Sequence, residues 1–313
     1  MSENPIDYVL SLKPNVSTRL GFCAWLCLAM AGLQGLAQTA YVTTNGNDAL
    51  SGASWSEAKR SIGSAIASAP PGTVIWIGRG TYAEHITLKP DMKLYGGFAG
   101  TEGALAERDW RTNVSAIWGT TNRAVVIITN SGPGTRLDGL TIGGGNGIHG
   151  GGIQMVGSAP VVANSTVRNN MTDGAGSGIS IWGFYLVSST EGYFPCITNN
   201  VIVENQSLND EGDGGGIAVI GSSPVIAFNV IARNTATRNG GGIACWRHSF
   251  PTIANNVIEA NSASYDELTV SVGGGGIFAS ATDLDGRPID FAISEPFIFN
   301  NLIAANGGIH GGG

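Results

Sequence analysis

Three stretches in the second half of the chain carry residue types that could bind or transform a ligand. The first is rich in aromatic side chains, the second is a Cys-Trp-Arg-His run, and the third holds several aspartates. Aromatic rings offer apolar faces and polar edges that suit sugar rings, and an arginine can pair a carboxylate through two parallel hydrogen bonds. These stretches therefore predict a carbohydrate-binding groove, although loop aromatics can also serve only to pin a loop onto the coil beneath it. The predicted members of the groove are Trp182, Tyr185, Tyr193, Trp246 and Arg247.

The same stretches contain candidates for catalysis and for a calcium site. Arg247 and His248 could transfer protons, whereas Asp283 and Asp285 could act as carboxylates or as hard oxygen ligands for Ca²⁺. Glycoside hydrolysis also requires two carboxyl groups at a fixed separation. The DLDG run that contains the two aspartates lacks the remaining positions of an EF-hand, so an ordinary turn is the better explanation of that run. A second acidic run, at residues 210–213, is interpreted as a solvated turn.

A repeated segment of eleven residues indicates how these stretches are positioned. Five segments align without gaps on the pattern P-x-[VI]-x-x-[NS]-x-[VI]-x-x-N, and each follows a Gly-Ile pair. Successive Gly-Ile pairs are 26, 38, 26 and 34 residues apart, which indicates a unit of 26 residues with insertions of 12 and 8. Each unit is predicted to be one coil of about three short strands, whose Val and Ile side chains point into a shared core. Such coils stack through parallel hydrogen bonds at about 4.8 Å.

Two asparagine positions recur in every unit. One holds Asn170, Asn205, Asn234, Asn261 and Asn306, and the other holds Ser165, Asn200, Asn229, Asn256 and Asn301. Asparagine tolerates the left-handed backbone of a tight turn and can hydrogen-bond the backbone locally. Stacked coils would align these amides, so we predict ladders in which each amide donates to the next one along.

The amino-terminal half adds a resemblance to a known family. The resemblance rests on the motifs NGNDALSGASW (45–55), the helix-like EAKRSIGSAIASA (57–69), GTVIWIGRGTY (72–82), KLYGGFAGTE (93–102), RDW (108–110) and RLDGLTIGGG (136–145). On these motifs the chain resembles bacterial right-handed β-helix repeat proteins of the pectin-lyase-like superfamily. The resemblance implies an all-β fold, a single-stranded right-handed parallel β-helix. It also implies an N-terminal capping helix, which would cover the open end of the solenoid.

The resemblance also bears on activity, because members of this family include polysaccharide lyases and polyuronide hydrolases. The lyases abstract a proton with lysine or arginine and use calcium, but the repeat region of this chain holds no lysine. Arginine remains, at Arg168, Arg233 and Arg247 among other positions. The paired aspartates and the Arg-Ile-Lys motif of the hydrolases are absent from the sequence. A pectate-lyase-like enzyme or a glycoside hydrolase acting on acidic polysaccharide therefore stays the alternative to a protein without catalysis.

The first 37 residues are predicted to be a signal peptide and the segment that precedes it. An uncharged apolar run at 20–33 follows Lys13 and Arg19, and the small residues Gly35 and Ala37 come after it, as in secretory signals. The run is short for a membrane span, so we expect a secreted or cell-surface protein that does not span the membrane after signal removal. Residues 38–118 are predicted to form the cap and first coils, and 119–313 the regular coils. The last residues repeat the start of a coil, so a C-terminal truncation is expected.

Charge and cysteine usage limit the partners. The net charge is −7, and all four lysines precede residue 94. No basic stripe is present, which excludes nucleic acid as a partner. Cys196 and Cys245 fall at different positions of the repeat, so both are predicted to be buried free thiols. We expect a monomer whose partner is a polysaccharide or a cell-surface glycan.

The sequence thus predicts an extracellular or cell-surface β-helix repeat protein that presents an elongated surface for carbohydrate or cell-surface interaction. The polysaccharide lyase or glycosidase described above is one alternative. A purely structural stalk or adhesin passenger is another, and it follows from the repeat geometry alone.

Overall fold

The computed structural model describes residues 38–183, 194–209, 212–263, 273–280 and 294–308. The predicted signal peptide lies outside these residues. Within them, four parallel sheets run along the chain, and successive strands of each sheet come from successive coils. The predicted all-β solenoid of stacked coils is confirmed.

The nine-stranded and eight-stranded sheets supply two walls of each coil. The nine-stranded sheet consists of β1 (Thr39–Val42), β2 (Val74–Gly78), β5 (Lys93–Phe98), β8 (Arg136–Asp138), β12 (Val161–Ala163), β16 (Cys196–Thr198), β20 (Val225–Ala227), β24 (Thr252–Ala254) and β28 (Phe297–Phe299). The eight-stranded sheet consists of β3 (Gly80–Ala83), β6 (Ser115–Trp118), β9 (Leu140–Gly143), β13 (Thr166–Arg168), β17 (Val201–Val203), β21 (Val230–Ala232), β25 (Val257–Glu259) and β29 (Leu302–Ala304).

The other two sheets complete the coil. The seven-stranded sheet consists of β4 (Ile86–Leu88), β7 (Val126–Thr129), β11 (Ile153–Val156), β15 (Ile179–Trp182), β19 (Ile217–Ile220), β23 (Ile243–Trp246) and β27 (Ile277–Ser280). The six-stranded sheet consists of the two-residue strands β10 (Asn146–Gly147), β14 (Met171–Thr172), β18 (Gln206–Ser207), β22 (Thr235–Ala236), β26 (Ser262–Ala263) and β30 (Gly307–Gly308).

Alternation along each strand produces the core. In the nine-stranded sheet the middle residue of each short strand points inward, and the resulting column is fully buried from Leu137 through Ile253. The column ends at Ile298, which is 43 % exposed because no further coil packs on it among the described residues. Burying one such aliphatic side chain contributes roughly 1.5–3 kcal/mol. The aligned Val and Ile columns therefore hold adjacent coils together.

The capping helix is shorter than the helix-like stretch 57–69 that the sequence indicated. A 3₁₀ helix covers Trp55–Glu57, and the α-helix α1 covers Ile62–Ser68. In the segment between the two helices, the backbone N–H groups of Arg60 and Ser61 donate hydrogen bonds to the carboxylate of Asp48. These bonds hold the segment extended. The buried residues of α1 belong to the same core cluster as the first coils. The N-terminal cap is therefore present but small. A second 3₁₀ helix lies at Leu105–Glu107.

The two amide ladders are present as predicted. In the first, the Nδ2 groups of Asn170, Asn205, Asn234 and Asn261 each donate to the Oδ1 of the next coil's asparagine at 2.9–3.0 Å. In the second, Asn200, Asn229 and Asn256 do the same at 2.9–3.0 Å. The members from Ser165 through Asn261 are buried. Each ladder thus satisfies polar groups inside the turn and fixes the register of successive coils.

The sequence placed the left-handed backbone at the ladder asparagines, and this was wrong by one residue. Positive φ occurs at the preceding residue, from Asn164 (52°) and Asn199 (54°) to Asn300 (52°). The amide of a ladder asparagine must point inward. The change of chain direction that permits this takes place at the preceding residue. The left-handed residue then points its side chain outward.

The two cysteines of the repeat region lie in different sheets, as predicted, with Cys196 in β16 and Cys245 in β23. Cys245 is a buried free thiol, and burial raises its pKa to about 12. Cys196 is also buried, but it is disulfide-bonded, so the prediction of a free thiol is wrong at that position. No helix among the described residues is long and apolar enough to cross a bilayer.

Candidate functional site

The seven-stranded sheet carries the predicted aromatic residues on its outer face. Because successive side chains of a strand point to opposite faces, the inward Ile179 and Ile181 leave Ser180 and Trp182 pointing outward. The register aligns Trp182 with Ile220 and Ile220 with Trp246. We call this surface the aromatic face. It consists of His149, Trp182, Ala218, Ile220, Ala244, Trp246 and Phe278.

Trp246 is the buried part of the aromatic face. Its side chain is 3 % exposed, and its ring centroid lies 4.9 Å from that of Phe278. The guanidinium carbon of Arg238 lies 5.7 Å from the Trp246 ring centroid, within the range of a cation–π contact. A ring that is buried in this way does not stack on a sugar arriving from solvent. Trp246 instead fits the competing interpretation, in which an aromatic side chain packs the outer layer of the coil.

Trp182 is the accessible part of the aromatic face. Its side chain is half-buried, and its Nε1 donates a hydrogen bond to the Ser180 hydroxyl at 2.7 Å. The imidazole of His149 lies 5.0 Å from the Trp182 ring, with 56° between the two planes. The ring is therefore oriented by two neighbours and keeps part of its surface in contact with solvent. This combination suits an aromatic platform for a ligand.

His149 was not among the predicted site residues. It lies four residues before β11, in the glycine-rich corner that precedes each strand of the seven-stranded sheet. The equivalent positions of the next coils are Ala175, Asp213 and Asn239. Alignment of the repeats could have identified these four equivalent positions. Their side chains differ in chemistry from coil to coil, whereas the aligned residues of the strands do not.

Arg247 and His248 follow Trp246 directly, and both have a left-handed backbone, with φ values of 48° and 49°. The position of Arg247 is occupied in two earlier coils by Gly157 and Gly221, with φ values of 54° and 61°. The left-handed conformation costs an ordinary residue roughly 1–2 kcal/mol relative to the right-handed one. Both side chains are half-buried at the end of β23. The strand thus ends with two nitrogen-bearing side chains on a turn that other coils build with glycine.

The carboxylate of Asp213 was expected in a solvated turn, and this prediction was wrong. Asp213 is fully buried and accepts hydrogen bonds from Arg238 Nε at 3.2 Å and Asn239 Nδ2 at 3.0 Å. Burial raises the pKa of Asp213, although the ion pair with Arg238 opposes this shift. The register explains the burial, because Asp213 pairs with Asn239 of the next coil at an inner corner. The carboxylate therefore orients Arg238 toward Trp246.

Several predicted residues cannot be placed. Tyr185, Tyr193, Asp283 and Asp285 lie outside the described residues, so the groove wall and the calcium site that they would form stay predictions. The described part of the chain holds no group of three or more His, Cys, Asp or Glu side chains that could bind a metal ion. The catalytic hypothesis consequently retains only Arg247 and His248 as placed residues.

Comparison with known proteins agrees with the architecture. A family model described as "Right handed beta helix region" matches residues 112–258. This span begins before β6 and ends within β25, so it covers most of the coils that carry the amide ladders and ends before Asn261, Asn301 and Asn306. No curated protein and no solved structure matches the sequence.

Proposed function

Because the chain is a right-handed parallel β-helix repeat protein, we propose that it is a secreted or cell-surface protein that binds carbohydrate. The binding site is the solvent-accessible part of the aromatic face. The observation that carries the proposal is the half-buried Trp182, which is oriented by Ser180 and His149 on the outside of a rigid sheet. Binding residues of this kind are typically held in place by a stable scaffold.

The chemistry around Trp182 matches a sugar chain. The indole ring supplies an apolar surface for the C–H face of a sugar. The Gln154 side chain lies on the same outer face one strand away, beside Ser180, and can hydrogen-bond hydroxyl groups. Arg247 directly follows β23, which lies two strands from β15 in the same sheet. Two strand spacings correspond to about 9.6 Å. An extended polysaccharide running along the solenoid would contact Trp182 and place a carboxylate near Arg247.

The cellular location in the proposal rests on the sequence. The apolar run at 20–33 with basic residues before it and small residues after it is typical of a secretory signal. A stack of nine strands in one sheet extends over about 38 Å at 4.8 Å per strand. Such a length suits the presentation of a surface to a polymer.

The proposal is tested by measuring binding of the purified protein to acidic polysaccharides by isothermal titration calorimetry. Trp182→Ala is expected to weaken binding by about fivefold or more, because an aromatic contact is worth on the order of 1 kcal/mol or above. The matched control is Trp118→Ala. Trp118 is also half-buried on an outer face, but it lies in the eight-stranded sheet with Arg168 5.5 Å from its ring. Equal affinities of Trp182→Ala and the parent protein would contradict the proposal.

The same samples separate the alternatives. A polyuronide supplied with calcium would yield an unsaturated product that absorbs in the ultraviolet if the chain is a lyase. In that case the turnover should be lost in Arg247→Ala. A protein that binds none of the polysaccharides would instead be a structural stalk.

A further inference from the structure

A second surface runs along the turn between the nine-stranded and eight-stranded sheets. One residue of each coil there is left-handed and points outward, with φ values between 52° and 60°. We call this row the outer column; it consists of Asn164, Asn199, Phe228, Asn255 and Asn300. It lies away from the seven-stranded sheet and shares no residue with the aromatic face.

The asparagines of the outer column form a hydrogen-bonded series with a single interruption. Asn164 Nδ2 donates to Asp138 Oδ1 at 2.8 Å, and Asn199 Nδ2 donates to Asn164 Oδ1 at 2.6 Å. Further along, Asn300 Nδ2 donates to Asn255 Oδ1. The ring of Phe228 stands between these two pairs, and this side chain can neither accept nor donate a hydrogen bond. Asn199 Oδ1 and Asn255 Nδ2 consequently have no hydrogen-bond partner within the part of the chain described here.

Phe228 is not explained by folding stability. Its side chain is 58 % exposed, and its φ of 60° lies in the left-handed region, where a bulky residue is an outlier. The other four members of the outer column are asparagine, which adopts this conformation more readily. A large apolar ring has thus replaced an amide at a position where it is strained and gains little burial.

An apolar row lies directly beside the outer column. It consists of Val201, Val230, Val257 and Leu302, each two residues after a member of the outer column and on the outer face of the eight-stranded sheet. Val201 is 40 % exposed and Leu302 is 58 % exposed. Neither row contains a charged residue. Together the two rows form a neutral strip with its hydrogen-bonding groups on one side and its apolar groups on the other.

We infer that this strip binds an extended, uncharged, β-linked polysaccharide lying along the solenoid axis. The C–H face of one sugar packs on Phe228, and its neighbours pack on the valine row. Sugar hydroxyls both donate and accept, so they satisfy Asn199 Oδ1 and Asn255 Nδ2. These two groups flank the ring at a separation of about 9.6 Å, which is two strand spacings. The absence of charge selects a neutral chain over the acidic polymer expected at the aromatic face.

The decisive variant is Phe228→Asn, which completes the row of amides. Hydrogen bonding from residue 228 to Asn199, and from Asn255 to residue 228, should raise the melting temperature, so loss of folding does not confound the result. Binding of soluble cellopentaose and xylohexaose, measured by calorimetry, should weaken by at least about tenfold. Phe228→Tyr keeps the ring and should retain the affinity of the parent protein.

Trp118→Ala serves as the second control, because it removes a half-buried ring that belongs to neither binding site and should leave cellopentaose and xylohexaose binding unchanged. The inference is overturned if the parent protein binds neither oligosaccharide, or if Phe228→Asn binds them as tightly as the parent does. It is also overturned if sedimentation shows a dimer of the parent that Phe228→Asn abolishes, since the strip would then contact a second copy. Failure of the site at Trp182 would leave these results unaffected.

Discussion

The inner ladders and the outer column use the same residue type at the same spacing, yet they do different things. Asn199 and Asn200 are adjacent in the sequence. Asn200 is buried, and its Nδ2 donates to Val162 O and to Asn229 Oδ1 at 2.9 and 3.0 Å. Asn199 is exposed and makes one amide–amide bond, to Asn164. The difference teaches that burial, and not the repeat itself, turns an asparagine column into a structural element.

The physical reason is the cost of an unsatisfied buried polar group. Removing a buried amide leaves backbone carbonyls and neighbouring amides without partners, at about 1–3 kcal/mol each. Water replaces the lost partner at an exposed position, so the same deletion costs little there. The inner ladders are therefore constrained by folding, whereas the outer column is available for binding residues such as Phe228.

The largest expected effect tests how tightly the inner ladder is packed. A Cβ added at Gly216 would lie 2.6 Å from Gly242 O and 3.1 Å from Asn234 Nδ2. Gly216→Ala must therefore separate two coils, and we expect a loss of about 3 kcal/mol in the free energy of unfolding. Urea denaturation measures this loss. Gly103→Ala is the control, because a Cβ there meets nothing within 4 Å; equal destabilisation by both variants would contradict the account.

A smaller effect concerns the buried carboxylate of Asp213 at an inner corner of the coil. Burial raises the pKa of Asp213 above its ordinary 3.8, so the folded protein binds this proton more tightly than the unfolded chain does. Between the unfolded and the folded pKa, stability therefore falls as pH rises, and above the folded pKa the loss is complete. Asp213→Asn should remove this part of the pH dependence. Urea midpoints recorded from pH 4 to pH 7 measure it.

The control for this titration is Glu204→Gln, because Glu204 pairs with Arg233 at the surface, where both side chains are about half exposed. An exposed ion pair contributes at most about 1 kcal/mol, so that substitution should change the urea midpoint little. An unaltered pH profile in Asp213→Asn would show that the buried carboxylate does not titrate with folding.

Much of the fold could be predicted from the sequence, because its causes are local and repeated. The Val and Ile positions of each eleven-residue segment determine which side faces the core, and one asparagine per turn determines the register. The ladder from Asn170 to Asn306 follows from spacing alone. The left-handed residue could not be located as easily, because Asn164, Asn199 and Asn255 each stand directly before a ladder residue. Composition does not say which residue of such a pair adopts the left-handed conformation.

The candidate site was less predictable, because it depends on what covers the outer face. Trp182 and Trp246 occupy the same strand position two coils apart, yet the first is half-buried and the second is buried against Phe278 and Arg238. Asp213 looked like a solvated turn because its partners, Arg238 and Asn239, come from the next coil. Contacts between coils decide these outcomes, and a pattern within one coil does not contain them.

The central claim is that burial separates the structural amides from the available ones, and identical substitutions at two adjacent residues test it most directly. Glycine keeps the left-handed conformation accessible at position 199 and removes the amide at either position. Urea unfolding of Asn200→Gly should show a loss of at least about 2 kcal/mol, whereas Asn199→Gly should stay within about 0.5 kcal/mol of the parent. Equal losses from the two variants would contradict the account.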